Sequence, residues 1–308
     1  MALPRLLVSL PSPEVRAWFG ETPNGIDFVE WDMSGPAPVN AIDVVVPPYT
    51  GDATRLASLA GVRTQLVQSL LIGYDGVAAA LPPGHVYANA ASVHETSTAE
   101  LALTLVLAAQ RGIADYVRAA AQGTWSPQVR PSLADRSVLL VGYGGVGRAI
   151  EERLLPFEVN IVRVAQRARV DERGTIHAVA SLLELLPHAD IVIIAVPLTP
   201  DTAQLVDDRF LSAMPDGALL VNIARGKVAD TDALVKHAST GRIRLALDVV
   251  DPEPLPDGHP LFALTNVLIS PHIGGTTTAM QPRAKQLLLE QIARLQRGEE
   301  PVNVVLRS

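Results

Sequence analysis

Short apolar runs rich in Val, Leu and Ile recur along the chain, at residues 5–10, 41–46, 64–68, 137–141, 159–164, 191–196, 218–223, 243–249 and 267–270. They are apolar on both faces and alternate with helical stretches, the pattern of strands buried in a parallel sheet, so the chain is predicted to be α/β. Ser97, Thr98, Ala99 and Glu100 read as a capping box, with Ser97 capping backbone amides and Glu100 reaching back, and predict an Ala- and Leu-rich helix from there towards Ala121. Residues 123–135, with Trp125, Pro127 and Pro131, break that helix before the next strand. After the Gly-rich stretch PHIGGTTT, residues 283–297 place Leu288, Ile292 and Leu295 at helical spacing, a last helix expected to pack back on the first domain. No short-period repeat or low-complexity tract is present, which argues against solenoids and disordered scaffolds.

Composition narrows the class. A length of 308 residues predicts two domains at about 150 residues each. With 48% hydrophobic and 19% charged residues, the chain has the balance of a compact globular protein. Its 25 Lys and Arg against 32 Asp and Glu give a net charge of -7, so no general basic field exists for nucleic acid or anionic lipid. No apolar run approaches the roughly 18 residues of a membrane span, and the N-terminal apolar stretch meets prolines and charges too soon for a signal peptide. Cysteine is absent, which fits a cytoplasmic location and removes thiolate metal sites; no His-x-x-x-His pair with a carboxylate occurs, so no catalytic metal is expected.

The run at 138–141 leads directly into Gly142, Tyr143, Gly144, Gly145, Val146 and Gly147, followed by a helical stretch. A strand, a GxGxxG turn and a helix form a pyrophosphate cradle: the glycines permit the turn and the close approach, and the helix N-terminus faces the phosphates. About 20 residues on, where an acidic residue normally binds the ribose hydroxyls of NAD, the chain carries Ala165 and Gln166, with Arg167 and Arg169 just beyond. Guanidinium groups suit the extra phosphate of NADP, so NADP is the expected cofactor, with NAD the alternative should both arginines be ordinary surface charges.

Three further stretches, VNIARG, LDVVDPEPLP and SPHIGG, each follow or end a buried strand, on the side of a parallel sheet where ligands bind. Arg225 can clamp a carboxylate with two parallel donors, His272 can pass a proton to and from a carbonyl oxygen near neutral pH, and Glu253 can orient the imidazole. That trio suits reduction of a 2-oxo acid. Of the other histidines, His85, His177, His188, His237 and His259 are read as solvated, and His94 as a hinge residue.

These blocks, LLVGYGGVGRAI, ADIVIIAVPLTPDTAQLVD, LLVNIARGKVADTDAL, ALDVVDPEPLPDGHPL and NVLISPHIGG, stand in the order and spacing of the D-isomer-specific 2-hydroxyacid dehydrogenases, which the sequence resembles from about Gln68 to Gly275. The resemblance implies two Rossmann-like domains. One is a flavodoxin-like, discontinuous substrate domain (1–93 plus 284–308), the other a doubly wound NAD(P)-binding domain (94–283), with the active site in the cleft between them and a homodimer formed through the cofactor domains. It implies Arg225, Glu253 and His272 as catalytic residues. Tyr143, Gly144, Gly145, Val146, Gln166, Arg167, Arg169, Ala195, Pro197, Thr202, Ile223, Ala224, Asp248, His272 and Gly274 are implied around the cofactor, Asp248 towards the nicotinamide amide. Leu71, Ile72 and Gly73 are implied, with Arg225 and His272, around a small 2-oxo or 2-hydroxy acid such as glyoxylate or hydroxypyruvate. The loop SLLIGYD carries larger side chains than is common there, and the chain leaves no room after PVNVV for an added regulatory domain. A non-catalytic, nucleotide-sensing interaction protein on the same fold is the alternative reading.

Overall fold

The computed structural model describes residues 4–50 and 52–308. Its first strands are β1 (Leu6–Leu10), β2 (Ile26–Glu30), β3 (Val44–Val45), β4 (Leu66–Gln68) and β5 (Val86–Ala88). There follow β6 (Ser137–Val141), β7 (Asn160–Ala165), β8 (Arg169–Asp171), β9 (Gly174–Ala178), β10 (Ile191–Ile194), β11 (Leu219–Asn222), β12 (Arg244–Leu247) and β13 (Val267–Ile269), and β14 (Val304–Arg307) closes the chain. The chain divides into two compact units, one of residues 1–94 and 278–308, the other of residues 95–277. The second crossing falls at 277/278 rather than 283/284 because the helix Met280–Gln296 belongs to the first unit as a whole.

In the first unit six strands lie in the order β14-β5-β4-β3-β1-β2, parallel except for β14. Leu6, Val8 and Leu10 of β1 pack with Ala284, Leu287, Leu288 and Ile292 of the helix Met280–Gln296, whose apolar positions recur at three and four residues and so form one buried stripe. In the second unit eight strands lie in the order β13-β12-β11-β10-β6-β7-β9-β8, parallel except for β8. Ala99, Ala102, Leu105 and Val106 of the helix Glu95–Arg111 cover one face with Ile150 and Leu154 of the helix Gly145–Leu154. Both units are α/β with parallel sheets, as the apolar runs predict.

Three local expectations are corrected. The helix starts at Glu95, so Ser97 is inside it and shares a 2.8 Å hydrogen bond with Thr277 Oγ1; no capping box forms at 97–100. It does not run on to Ala121: Gly112, at φ 65°, ends it and starts a separate helix, Ile113–Ala121. His85 and His237 are buried, not solvated. His85 Nδ1 shares a 2.8 Å bond with Thr64 Oγ1, and burial holds its imidazole below the ordinary histidine range, while His237 Nε2 lies 2.9 Å from Asp208. Strands β2, β5, β8, β9 and β14 are additions to the nine anticipated runs. Among the described residues, no helix is long and apolar enough to cross a membrane.

Candidate active site

Parallel pairing in the second unit sets Val141 beside Ile194, Ile194 beside Asn222, Asn222 beside Leu247 and Leu247 beside Ile269. One residue further on, Gly142, Ala195, Ile223, Asp248 and Ser270 leave the carboxyl edge as a row. β7 lies on one side of β6 and β10 on the other, so the strand order reverses at the Gly142 turn, where open α/β sheets bind their ligands.

At that turn a Cβ on Gly142 would meet the carbonyl of Ala195, and one on Gly147 would meet the carbonyl of Gly142, so both must be glycine for strand, turn and helix to close. Gly144 differs: nothing lies within 4 Å of where its Cβ would stand, and it caps the helix Gly145–Leu154 without a side-chain bond. An open cradle at an uncapped helix N-terminus fits a pyrophosphate, and these residues fit a dinucleotide. Tyr143 faces inward, its hydroxyl donating to the fully buried Glu151. Burial pushes the Glu151 carboxyl up, but bonds from Tyr143, Arg173 and Arg163 together hold it below the ordinary glutamate range. Arg169 donates to the Tyr143 carbonyl (3.1 Å) and so fastens the turn. Arg167 is exposed just beyond β7, and no hydrogen bond or ion pair holds it among the described residues. Thr202 is buried and closes the loop after β10, donating to Pro197 O (2.6 Å) and accepting from Thr199 N (2.8 Å).

Beyond β12 and β13 the chain brings two of the three predicted catalytic side chains together. His272 Nδ1 lies 2.5 Å from Glu253 Oε1, with both side chains exposed. A carboxylate only accepts, so Nδ1 carries the shared hydrogen and Nε2 is the atom left to exchange a proton. His272 adopts φ 53°, in the left-handed region that a side chain rarely occupies, at a cost of about 1–3 kcal/mol. Asp248 holds it there. The His272 amide donates to the Asp248 carbonyl (2.8 Å), while the buried Asp248 carboxylate accepts from Ser270 Oγ (2.6 Å), Ile273 N (3.0 Å) and Gly274 N (2.9 Å). Arg225 is half-buried just beyond β11, with Nη1 donating to Ala224 O (2.7 Å), and Ile223 and Ala224 are buried beneath it. A Cβ on the next residue, Gly226, would overlap the carbonyl of Val250, so this glycine is what lets the Arg225 and Glu253 loops run side by side.

A family model described as "D-isomer specific 2-hydroxyacid dehydrogenase, NAD binding domain" matches residues 103–274, more than half of the chain. The chain belongs to the D-isomer specific 2-hydroxyacid dehydrogenase family. It is an oxidoreductase. This dehydrogenase is 30% identical over 289 residues to a glyoxylate reductase/hydroxypyruvate reductase of Homo sapiens, covering 88% of each chain. It is 32% identical over 256 residues to a glyoxylate reductase of Thermococcus gammatolerans, covering 79% of this chain and 76% of the relative. Among solved structures it is similar to an NADPH-dependent glyoxylate/hydroxypyruvate reductase from Sinorhizobium meliloti in complex with NADP and malonate. The TM-score is 0.80 at 25% identity, over 99% of this chain and 98% of that one. It is also similar to a D-isomer specific 2-hydroxyacid dehydrogenase from Xanthobacter autotrophicus Py2 in complex with NADPH and MES, with a TM-score of 0.79 at 26% identity, over 97% and 98% of the two chains.

In the first unit of this dehydrogenase, residues 71–73 form a turn pinned from several sides. Ser69 Oγ accepts from Leu71 N (3.0 Å), Ala90 N donates to Leu71 O (2.8 Å), Asn89 Nδ2 donates to Ile72 O (2.8 Å) and His94 Nε2 lies 2.7 Å from Leu70 O. Sequence reasoning missed the parts played by Gly226, Ser270 and Asn89. Only Gly226 leaves a trace in the text, as a glycine directly after a candidate catalytic residue.

Proposed function

We propose that this chain is an NADPH-dependent reductase of small 2-oxo acids such as glyoxylate or hydroxypyruvate, with His272 as the general acid. The observation that carries the reading is the Glu253–His272 pair at the carboxyl edge of the dinucleotide-binding sheet. When bound, the nicotinamide cofactor supplies the hydride. His272, oriented through Nδ1 by Glu253, gives its Nε2 proton to the carbonyl oxygen as the alcohol forms and takes it back in the oxidative direction. Arg225 presents a guanidinium fork that pairs with the 2-oxo acid and fixes its orientation. The amides of the 71–73 turn are assigned to the substrate carboxylate, since Ser69 engages Leu71 N whereas no bond from Ile72 N or Gly73 N is present among the described residues. Tyr143, Gly144, Gly145 and Val146 are assigned to the pyrophosphate, and Gln166 and Arg167 to the adenosine end. Ala195, Pro197, Thr202, Ile223, Ala224, Asp248 and Gly274 are assigned to the nicotinamide half.

Ala165 and the unengaged Arg167 support NADP over NAD. Glyoxylate and hydroxypyruvate are expected to oxidise NADPH faster than NADH, and Arg167→Ala to raise the KM for NADPH by about tenfold with little change for NADH, as loss of one charge-assisted phosphate contact requires. Steady-state kinetics with both cofactors checks this. No oxidation of either cofactor by any small 2-oxo acid would sink the reading.

We also assign a second copy of the chain as partner. The helix Ile113–Ala121 has no buried residue; its Val117 is 63% exposed, and Trp125 in the following loop is 95% exposed. Ile113, one turn before Val117 on the same helix, is 49% exposed as well, and apolar side chains left exposed along one helix face mark an interface. Val117→Asp is expected to convert a dimer to a monomer in light scattering after size exclusion; a wild-type chain that is monomeric at every concentration refutes the assignment.

A further inference from the structure

At the amino end of β12, the opposite end from Asp248, a cavity of about 230 Å³ opens within the second unit, lined in part by Gln110, Asp115, Arg130, Arg244, Thr265 and Asn266. Its charges do not balance. Asp115 takes hydrogen bonds from Arg130 Nη2 (2.7 Å) and from Arg118 Nη2 (2.6 Å), the latter also lying 3.4 Å from Thr265 O. Arg244 meets only neutral acceptors: Nε bonds Gly217 O (3.0 Å), Nη1 bonds Ala109 O (3.3 Å) and Nη2 bonds Gln110 Oε1 (2.6 Å). Counting Arg136 and Asp190, which pair with each other at 3.3 Å beside Arg244, four guanidinium groups stand here with two carboxylates.

The arrangement is built rather than incidental. Arg130 Nε is buried with no acceptor, and a Cβ on Gly112 would stand 2.7 Å from it, so the glycine between the two helices makes room for that guanidinium. Burial, then the charges of Arg130 and Arg136, hold Arg244 below the ordinary arginine range although Asp190 pulls it the other way. A guanidinium does not escape such a position by losing its proton at physiological pH. Surplus charge held in a partly buried position is costly until it is paired, and an anion relieves it.

We propose that this cavity is a binding site for a small, multiply charged oxyanion, phosphate or a short dicarboxylate, held between Arg130 and Arg244. The planar forks of arginine match the spaced oxygens of both ions, and the cavity has room for an ion of a few heavy atoms. The site is distinct from the row of residues at the carboxyl edge, and it needs neither the cofactor nor the 2-oxo acid.

Isothermal titration of inorganic phosphate, and in a separate arm of malonate, into NADPH-saturated protein tests the proposal. Saturable binding is expected in at least one arm, and the tighter arm identifies the ion. Arg130→Gln and Arg244→Gln are each expected to raise its Kd by about tenfold or more, since each removes a charge-assisted contact. Arg225→Gln is expected to leave it unchanged. Arg130→Gln keeps the test decisive if Arg244→Gln unfolds, because Arg130 makes no bond within the sheet. Absence of saturable binding in both arms, unchanged affinity in Arg130→Gln, or loss of binding in Arg225→Gln overturns the proposal.

Discussion

Alanine in place of His272 is expected to lower kcat for glyoxylate by about 10²–10⁴-fold, the usual contribution of a general acid, while NADPH binds as before. The size of the effect follows from the atoms left behind. Glu253 holds Nδ1, so Nε2 is the one titratable position that the pair offers to a substrate, and alanine offers none. The fold is expected to survive, because His272 is exposed and its backbone bond to Asp248 does not use the side chain. Removing the side chain also relieves no strain, since alanine is no better suited than histidine to φ 53°. Steady-state turnover and a fluorescence titration with NADPH read the two quantities separately. Turnover within a few-fold of wild type would remove His272 from the chemistry.

Gly226→Ala is expected to be the most damaging alanine substitution among the described glycines. The added Cβ would fall on the carbonyl of Val250 and against Asp251 N, both backbone, so no side chain can swing away. The loops after β11 and β12 must separate, and the expected loss is about 3 kcal/mol or more, in the range of overpacking a rigid site. The Asp251 carbonyl is already tied by Thr231 Oγ1 at 2.6 Å, which leaves the Glu253 loop little freedom to yield. Activity should fall with stability, since Arg225 precedes the methyl and Glu253 lies on the displaced loop. Thermal unfolding and kcat/KM for glyoxylate measure both. Gly35→Ala, where nothing lies within 4 Å of the new Cβ, is the matched control and is expected to melt like wild type. A Gly226→Ala protein that melts with that control would show that the loops can part at no cost.

Most central strands were legible in the sequence and most edge strands were not, with β13, an edge strand anticipated at 267–270, and β5, an interior strand without a run, as exceptions. β6 falls on residues 137–141 as anticipated because a central strand is apolar on both faces. β2, with the sequence IDFVE, and the β8–β9 pair, with RVD and GTIHA, lie at or next to sheet edges and mix polar with apolar positions, so no continuous run betrays them. The helix start was misread for a different reason. Ser97 has the spacing of a cap, but its hydroxyl is drawn to Thr277, 180 residues away, and no local pattern encodes that choice. The site divides in the same way. Glu253 and His272 stand in recognisable stretches, and the structure brings them together. The grip of Asp248 on Ser270, Ile273 and Gly274 depends on β12 lying beside β13, which only the assembled sheet reveals.

The division of the chain also fixes an order of assembly during synthesis on the ribosome. Residues 4–94 are made before residues 278–308, which supply the helix that covers β1 and the strand that pairs with β5. All of residues 95–277 are translated in between and hold their own core, so that unit can fold while its predecessor waits. Until residues 278–308 are made, Leu6, Val8 and Leu10 lack Leu287, Leu288 and Ile292, and the earlier segment exposes an apolar face and an open strand edge, the features that make incomplete folds prone to aggregate.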